Sequence, residues 1–189
     1  MRPLVFHAAW AGVAFFATLA IWSAGEMVLQ ARTRTDRSDP SWIWMMGGSI
    51  VGMALAFAFA GAHPRLPGPR WAPLAVGLAL MVAGMAFRLW AVRTLGSFFR
   101  VTVGVTDEQR VVETGPYRLL RHPSYTGMLI VYLGVGAALD SWLSVGAGTA
   151  CMAVGILDRI RHEERLLRDG LPAYASYAGR TKRLVPFVW

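Results

Sequence analysis

Cysteine and charge are both scarce in this sequence, and each scarcity excludes a class of protein. Cys151 is the one cysteine among 189 residues, so neither a disulfide within the chain nor a cysteine-based metal site can form. Charged residues make up 16% of the chain and hydrophobic residues 55%, whereas an average soluble domain is roughly 45–50% apolar. Four scattered histidines do not make a haem or zinc ligand set, and we predict no metal site.

In place of charge the chain has long apolar runs. Four stretches share this property: residues 4–30, 42–62, 72–92 and 127–157. The second contains no charged residue, the third contains only Arg88, and the fourth only Asp140. Because about 20 apolar residues in a helix cross a hydrocarbon core of roughly 30 Å, we predict an all-α, polytopic integral membrane protein.

The last run, residues 127–157, is too long for one span and short for two. Asp140 and Ser141 lie in its middle, and both residue types favour turns and helix N-caps. We therefore expect a tight helical hairpin whose second helix begins near Ser141 and continues beyond the membrane into residues 158–167. This hairpin brings the number of transmembrane helices to about five.

Basic residues are divided unequally between the two sides that five spans define. The loop after the first helix, residues 93–122 and the C-terminal tail lie on one side and carry 15 of the 19 lysines and arginines, whereas the other side carries three. The positive-inside rule makes the first side cytoplasmic. Topology therefore explains the net charge of +8 without a nucleic-acid partner, and anionic membrane lipids are expected to contact the same side.

Residues 114–127, TGPYRLLRHPSYTG, form the densest polar stretch. Pro123 fits the first position of a helix, where its missing N–H costs nothing. The next three N–H groups, of residues 124–126, then have no partner within the helix. Such a helix start suits an anion, and the rings of Tyr117 and Tyr125 offer π faces to a cation. The stretch is therefore suited to a zwitterionic ligand.

A second polar segment, residues 158–167, follows the hairpin, so the hairpin brings both polar segments to one membrane surface. Arg159 and Glu163 are four residues apart and share a helix face. By itself the segment fits a solvated helix end with weak surface ion pairs better than it fits a binding site.

The two segments together carry a family resemblance. GPYRLLRHPSYTG, followed by HEERLLRDGLPAYASYAGRTKRLVPF, resembles the isoprenylcysteine carboxyl methyltransferase family, and the related membrane phospholipid methyltransferases look similar in this region. The resemblance covers about residues 94–187. We accordingly divide the chain into N-terminal transmembrane helices, residues 1–93, and a methyltransferase region, residues 94–189, that includes the hairpin and the cytoplasmic tail.

This resemblance implies S-adenosylmethionine as the methyl donor and assigns roles to individual residues. Glu163 matches the carboxylate that binds the cofactor, and Arg159 matches the catalytic arginine beside the substrate. The other positions that match cofactor contacts are Gln109, Arg110, Val111, Val112, Tyr117, His122, Pro123, Ser124 and Tyr125. The resemblance also implies a lipophilic or lipidated substrate, and the predicted topology puts the active site at the cytoplasmic boundary of the membrane.

The expected reaction is methyl transfer to a lipid-like or prenylated acceptor. A carboxylate acceptor is ionised at pH 7 and needs no base, and Arg159 can orient it by a bidentate contact, which favours carboxyl methylation. The alternative acceptor, a phosphatidylethanolamine-type amine, arrives protonated and needs a base. A non-catalytic lipid-binding protein and a small transporter also stay open, although the near absence of ionisable groups at mid-membrane argues against transport. The oligomeric state is not predicted.

We expect a reporter fused after Trp189 to lie in the cytoplasm, because of the 15-to-3 distribution of basic residues. In a bacterial host, paired fusions of green fluorescent protein and alkaline phosphatase at this position measure the side directly. Fusions within residues 63–70 provide the matched control and should report the opposite side. Phosphatase activity from the C-terminal fusion would contradict the predicted orientation.

Overall fold

The chain folds into helices. The computed structural model describes residues 2–32, 40–99, 111–186 and 189, and this part of the chain contains no β-strand. Six α-helices follow one another in these described ranges: α1 (Ala9–Arg32), α2 (Pro40–Ala58), α3 (Ala72–Leu95), α4 (Pro123–Ala138), α5 (Trp142–Gly170) and α6 (Tyr174–Arg180). Short 3₁₀ turns occur at Leu4–Phe6, Gly96–Phe98 and Gly115–Arg118. The predicted all-α class is confirmed.

Four described helices are long and apolar enough to cross a membrane, and they span Ala9–Arg32, Ser41–Ala58, Ala72–Leu95 and Trp142–Gly170. α4 has 16 residues, which makes it about 24 Å long and shorter than a hydrocarbon core of roughly 30 Å. It is short because it begins inside the polar stretch, at Pro123. The integral membrane character is confirmed, and the count of about five spans, with α4 as the fifth, stays a prediction.

The helical hairpin expected around Asp140 and Ser141 is present between α4 and α5. Asp140 has a φ of 55°, a left-handed conformation that Asp tolerates in turns. Ser141 is the N-cap of α5, and its hydroxyl oxygen accepts a hydrogen bond from the N–H of Ser144 at 3.3 Å. The carboxylate of Asp140 also pairs with Arg65 at 2.6 Å. This ion pair ties the hairpin turn to the loop between α2 and α3.

Glycines determine how closely the helices approach. α4 packs against α3 and also contacts α5 and α2. A Cβ atom on Gly84 of α3 would lie 2.7 Å from the carbonyl oxygen of Gly127 on α4, so the two backbones meet where neither has a side chain. α2 and α5 meet in the same way, since a Cβ on Gly52 would lie 2.7 Å from the carbonyl oxygen of Gly148. Small residues permit such close crossings between membrane helices.

Side-chain contacts show which helix ends meet at the polar end of the bundle, which we call the site end. Arg159 of α5 reaches Ser41 at the start of α2, and Arg88 of α3 reaches Ser124 at the start of α4. Arg88 also pairs with Glu26 near the end of α1. The site end therefore collects the starts of α2 and α4 and the C-terminal parts of α1, α3 and α5.

We expect Gly84→Ala to lower the free energy of unfolding by about 1–3 kcal/mol, the usual cost of overpacking, because the new methyl group would press on the backbone of α4. The matched control is Gly25→Ala in α1, where a Cβ atom meets nothing within 4 Å. Thermal unfolding of the two variants in the same detergent measures the difference. Equal midpoints would contradict the close crossing of α3 and α4.

Candidate functional site

The start of α4 is organised by the backbone of His122. His122 is the N-cap and Pro123 the first helical residue, as the sequence predicts. The expectation that the N–H groups of residues 124–126 lack partners is wrong for Tyr125 and Thr126, which donate to the carbonyl oxygen of His122 at 3.1 and 3.2 Å. The carbonyl of a cap residue accepts the first bonds of its helix. This helix start is therefore less open to an anion than the sequence indicates.

The C-terminal tail fixes the segment before α4. The N–H of Arg121 donates to the carbonyl oxygen of Lys182 at 2.7 Å, and the N–H of His122 donates to that of Arg183 at 3.1 Å. Leu120 and Lys182 form an isolated parallel β-bridge. The backbone around His122 is thus held by a segment 61 residues further along the chain, and this pairing gives the His122 side chain a defined position.

Glu164 of α5 contacts both of these paired segments and is only 2% exposed. Its Oε1 atom is 3.0 Å from Nε of Arg121 and 3.4 Å from Nε2 of His122. Its Oε2 atom is 3.0 Å from Nη2 of Arg183 and 3.2 Å from Nη2 of Arg168. A buried carboxylate is stable only with such partners, so Glu164 holds the two segments against α5.

A chain of polar contacts continues from Glu163 across α4 to α2. The hydroxyl of Tyr125 donates to Oε2 of Glu163 at 2.9 Å and accepts from Nε of Arg159 at 3.3 Å. Nη1 of Arg159 donates to Oγ of Ser41 at 2.8 Å. The ring of His122 stacks on Tyr125 with centroids 5.7 Å apart. These contacts fix Tyr125 between an acid and a guanidinium group.

A second charged group connects α1 with α3. Nε and Nη2 of Arg88 donate to the two carboxylate oxygens of Glu26 at 2.5 and 2.6 Å. Nη1 of Arg88 donates to the hydroxyl of Ser124, and its guanidinium carbon lies 5.7 Å from the ring centroid of Trp22. Arg88 is 6% exposed, and the bidentate pair neutralises its charge where an unpaired one would be expensive.

These groups surround one cavity of about 600 Å³. Its polar wall includes Tyr117, Arg121, His122, Tyr125, Glu163 and Tyr174. Its apolar wall includes Met27, Met45, Ile50, Met53, Phe57 and Met128. Met27 and Ile50 are 70% and 69% exposed, so the apolar part opens sideways between α1 and α2. The cavity therefore connects a polar chamber at the site end with the membrane-facing surface of the bundle.

The structure brings most of the predicted cofactor contacts together. The predicted residues that line the cavity are Val111, Val112, Tyr117, His122, Ser124, Tyr125 and Glu163. Pro123 begins α4 and is not among the residues that line the cavity. Arg159 is 1% exposed and is not among the residues that line the cavity, but it contacts the hydroxyl of Tyr125, which lines it. Gln109 and Arg110 lie outside the described residues.

Sequence reasoning missed several residues of the site. Glu26, Arg88, Tyr174 and Tyr177 line the cavity, and Glu164 organises its wall. The signal for Glu26 and Arg88 was present, because a charge inside an apolar run marks a functional group by default. No comparable local signal distinguishes Glu164 from Glu163, since its burial depends on the distant tail.

The cavity has the groups that S-adenosylmethionine requires. Glu163 contributes a carboxylate to the cavity wall, which suits a ligand with a positive charge, and the buried hydroxyl of Tyr174 has no hydrogen-bond partner among the described residues, so it is available to a ligand. Burial raises the pKa of Tyr117 and Tyr174 well above the usual value, and that of Tyr177 to about 12, so these hydroxyls stay protonated. The volume is also within the roughly 300–1,000 Å³ of small-molecule sites. The residues fit this methyl donor.

The fold and the site define a helical membrane protein whose buried polar chamber adjoins an opening to the bilayer. Residues 76–169 match the sequence model of the isoprenylcysteine carboxyl methyltransferase (ICMT) family. A probable protein-S-isoprenylcysteine O-methyltransferase of Oryza sativa subsp. indica is 31% identical over 183 residues, which are 92% of this chain and 95% of that protein. The chain therefore belongs to the ICMT family and is a membrane-integrated methyltransferase, and the family implies S-adenosylmethionine as its methyl donor.

Other known proteins are also similar. The cobalt-zinc-cadmium resistance protein CzcN of Cupriavidus metallidurans is 29% identical over 76% of this chain and 62% of its own length. Among solved structures, the eukaryotic intramembrane Ras methyltransferase ICMT superposes with a TM-score of 0.68 at 22% identity, over 96% of this chain and 69% of that chain. At this identity the superposition shows a common fold.

We expect Glu163→Ala to weaken the binding of S-adenosylhomocysteine, the product of the donor, by about 10-fold or more. The reason is that hydrogen bonds to charged groups contribute about 1.5–3 kcal/mol. Isothermal titration calorimetry of the purified protein measures the affinity. Asp169→Ala, at an exposed position on the same helix, is the matched control and should bind normally. An unchanged affinity in Glu163→Ala would show that Glu163 is a surface residue without a role in binding.

Proposed function

We propose that this enzyme transfers a methyl group from S-adenosylmethionine to the carboxylate of a lipid-like or prenylated acceptor. The observation that carries the proposal is that one continuous cavity joins the chamber around Glu163 and Tyr125 to an apolar opening at Met27 and Ile50. A donor with several charges suits the chamber, and a lipid chain suits the opening. The names of the relatives, protein-S-isoprenylcysteine O-methyltransferases, support the same acceptor class.

The two substrates are proposed to enter from different phases. The polar chamber lies at the site end, which the distribution of basic residues predicts to be cytoplasmic, and the donor enters there from water. The acceptor enters from lipid between α1 and α2, so that its carboxylate reaches the chamber while its chain stays in the apolar part. The active site is therefore proposed to lie at the cytoplasmic boundary of the membrane.

The protein's contribution to the reaction is binding, orientation and the exclusion of water. S-adenosylmethionine supplies an electrophilic methyl group next to a positively charged sulfur, and the remainder of the donor leaves as a neutral thioether. Glu163 is proposed to hold the donor's ammonium group, which S-adenosylhomocysteine retains, and the apolar wall keeps the chamber dry. A dry site favours a reaction in which opposite charges neutralise each other. Positioning of two bound reactants can contribute roughly 7–11 kcal/mol, and a carboxylate acceptor needs no base.

Two arginines are proposed to act on the acceptor side. Arg88 lines the cavity. An acceptor carboxylate is proposed to bind its guanidinium group alongside Glu26. Arg159 acts through Tyr125, whose hydroxyl it contacts at 3.3 Å, and in this role it is a positioning residue. A direct bidentate contact from Arg159 to the acceptor carboxylate is a second hypothesis, for the enzyme with its acceptor bound.

We expect Arg159→Lys to lower turnover at least 10-fold and to leave the affinity for S-adenosylhomocysteine within about two-fold of the wild type. A lysine keeps the charge but cannot bridge Tyr125 and Ser41 with a planar fork, and a misplacement of about 1 Å can cost about 100-fold in rate. Transfer of radiolabelled methyl groups to a prenylcysteine gives kcat and KM separately.

Arg161→Lys is the matched control, because Arg161 is exposed on the same helix. Equal rates for Arg159→Lys and wild type would show that Arg159 has no part in orienting the acceptor. Methylation of phosphatidylethanolamine in place of the prenylcysteine would favour the amine-lipid alternative.

A further inference from the structure

We propose that the apolar groove beside α2, lined by Met45, Ile50, Met53, Ala54 and Phe57, selects acceptors by the length of their lipid chain. Ala54 and Phe57 set the selected chain length at about three isoprene units. This inference rests on the proposed function, because it requires that the chain of the acceptor occupies the groove. It goes further by naming the residues that select among acceptors and the length that they select.

The polar end of the groove is defined by the start of α2. Ser41 is bonded to Arg159 and therefore lies at the level of the reacting chamber. The residues of α2 that line the cavity begin at Met45 and end at Phe57. Twelve residues of an α-helix advance about 18 Å, so the groove follows α2 for more than three turns into the membrane.

The far end of the groove is closed by aromatic rings. Phe57 is the last residue of α2 that lines the cavity and lies one residue before the end of that helix. Its ring is 6.1 Å from that of Phe15 and 6.3 Å from that of Phe16, centroid to centroid. Phe15 is completely buried. A chain that grows along α2 therefore meets the cluster of Phe15, Phe16 and Phe57.

The length of the groove fits a chain of three isoprene units. Three backbone bonds advance about 3.6 Å when extended, so one isoprene unit of four main-chain bonds advances about 5 Å by the same geometry. Three units then need about 14 Å and four about 19 Å, against the groove of about 18 Å. Since the head of the chain also needs room, three units fit and a fourth reaches the phenylalanine cluster.

The geometry also explains why two residues of α2 can change the selected length by one unit. Ala54 lines the groove three residues before Phe57, which is about 4.5 Å along the helix, close to one isoprene unit. A large side chain at position 54 would close the groove one unit earlier, and loss of the ring at position 57 would open it by about one unit. The groove is open to lipid at Ile50, which is 69% exposed, so the chain can enter sideways. The phenylalanine cluster then limits only the position of the far end of the chain.

The test compares acceptors that differ only in chain length. N-acetyl-S-geranyl-, S-farnesyl- and S-geranylgeranyl-cysteine carry two, three and four isoprene units, and kcat/KM is measured for each with radiolabelled S-adenosylmethionine. We expect wild type to prefer the farnesyl acceptor at least 10-fold over the geranylgeranyl one. Ala54→Phe should lower kcat/KM for the farnesyl acceptor at least 10-fold and leave the geranyl value within about two-fold. Phe57→Ala should raise the geranylgeranyl value at least 10-fold.

Val51→Phe is the matched control, because Val51 is 50% exposed on the same helix and is not among the residues that line the cavity. It should keep the wild-type preference. Calorimetry with S-adenosylhomocysteine checks the fold of each variant, and Ala54→Leu replaces Ala54→Phe if the larger side chain prevents folding. Methylation of all three acceptors with equal kcat/KM in every variant would overturn the measuring role and leave the proposed function standing. Methylation of none by wild type would overturn both.

Discussion

The site depends on one buried carboxylate. Glu164 is 2% exposed, and a charge so buried requires cations at ion-pair distance. Two such cations come from segments far apart in sequence, Arg121 before α4 and Arg183 in the tail, and the ring of His122 lies 3.4 Å from the same carboxylate. Breaking a buried pair on one side costs about 3–5 kcal/mol, so these segments cannot leave α5 independently. The position of His122, and with it the start of α4, follows from this constraint.

Two adjacent glutamates of α5 thereby carry different tasks. Neighbouring residues on a helix point about 100° apart, so Glu164 can face the interior while Glu163 faces the cavity. Glu163 keeps 29% of its side chain exposed and is bonded to Tyr125. A carboxylate that is held in place but still accessible is what a positively charged ligand requires. The structural role of Glu164 therefore leaves Glu163 accessible for its proposed role in binding the donor.

Local chemistry allowed part of this arrangement to be predicted from the sequence. Asp140 and Ser141 predicted the hairpin because turn and cap preferences act over a few residues, and Glu163 followed from a family motif. The pair of Glu26 and Arg88 joins residues 62 positions apart, and no local pattern specifies such a partner. The pairing of the tail with Arg121 is equally distant. Burial and long-range pairing are properties of the folded chain, so they had to be observed.

The N-terminal helices contribute more to the site than the predicted division at residues 93 and 94 implies. α1 supplies Glu26, and α2 supplies Ser41 and the apolar groove, so the walls of the cavity come from both predicted regions. Charges near hydrocarbon must be paired in the empty enzyme, and Glu26 already satisfies Arg88 with both oxygens. An acceptor carboxylate that approaches Arg88 must therefore compete with Glu26 for this guanidinium group or share it with Glu26. This competition favours an acceptor that gains binding energy elsewhere, and the lipid chain proposed to lie in the groove beside α2 is such a source.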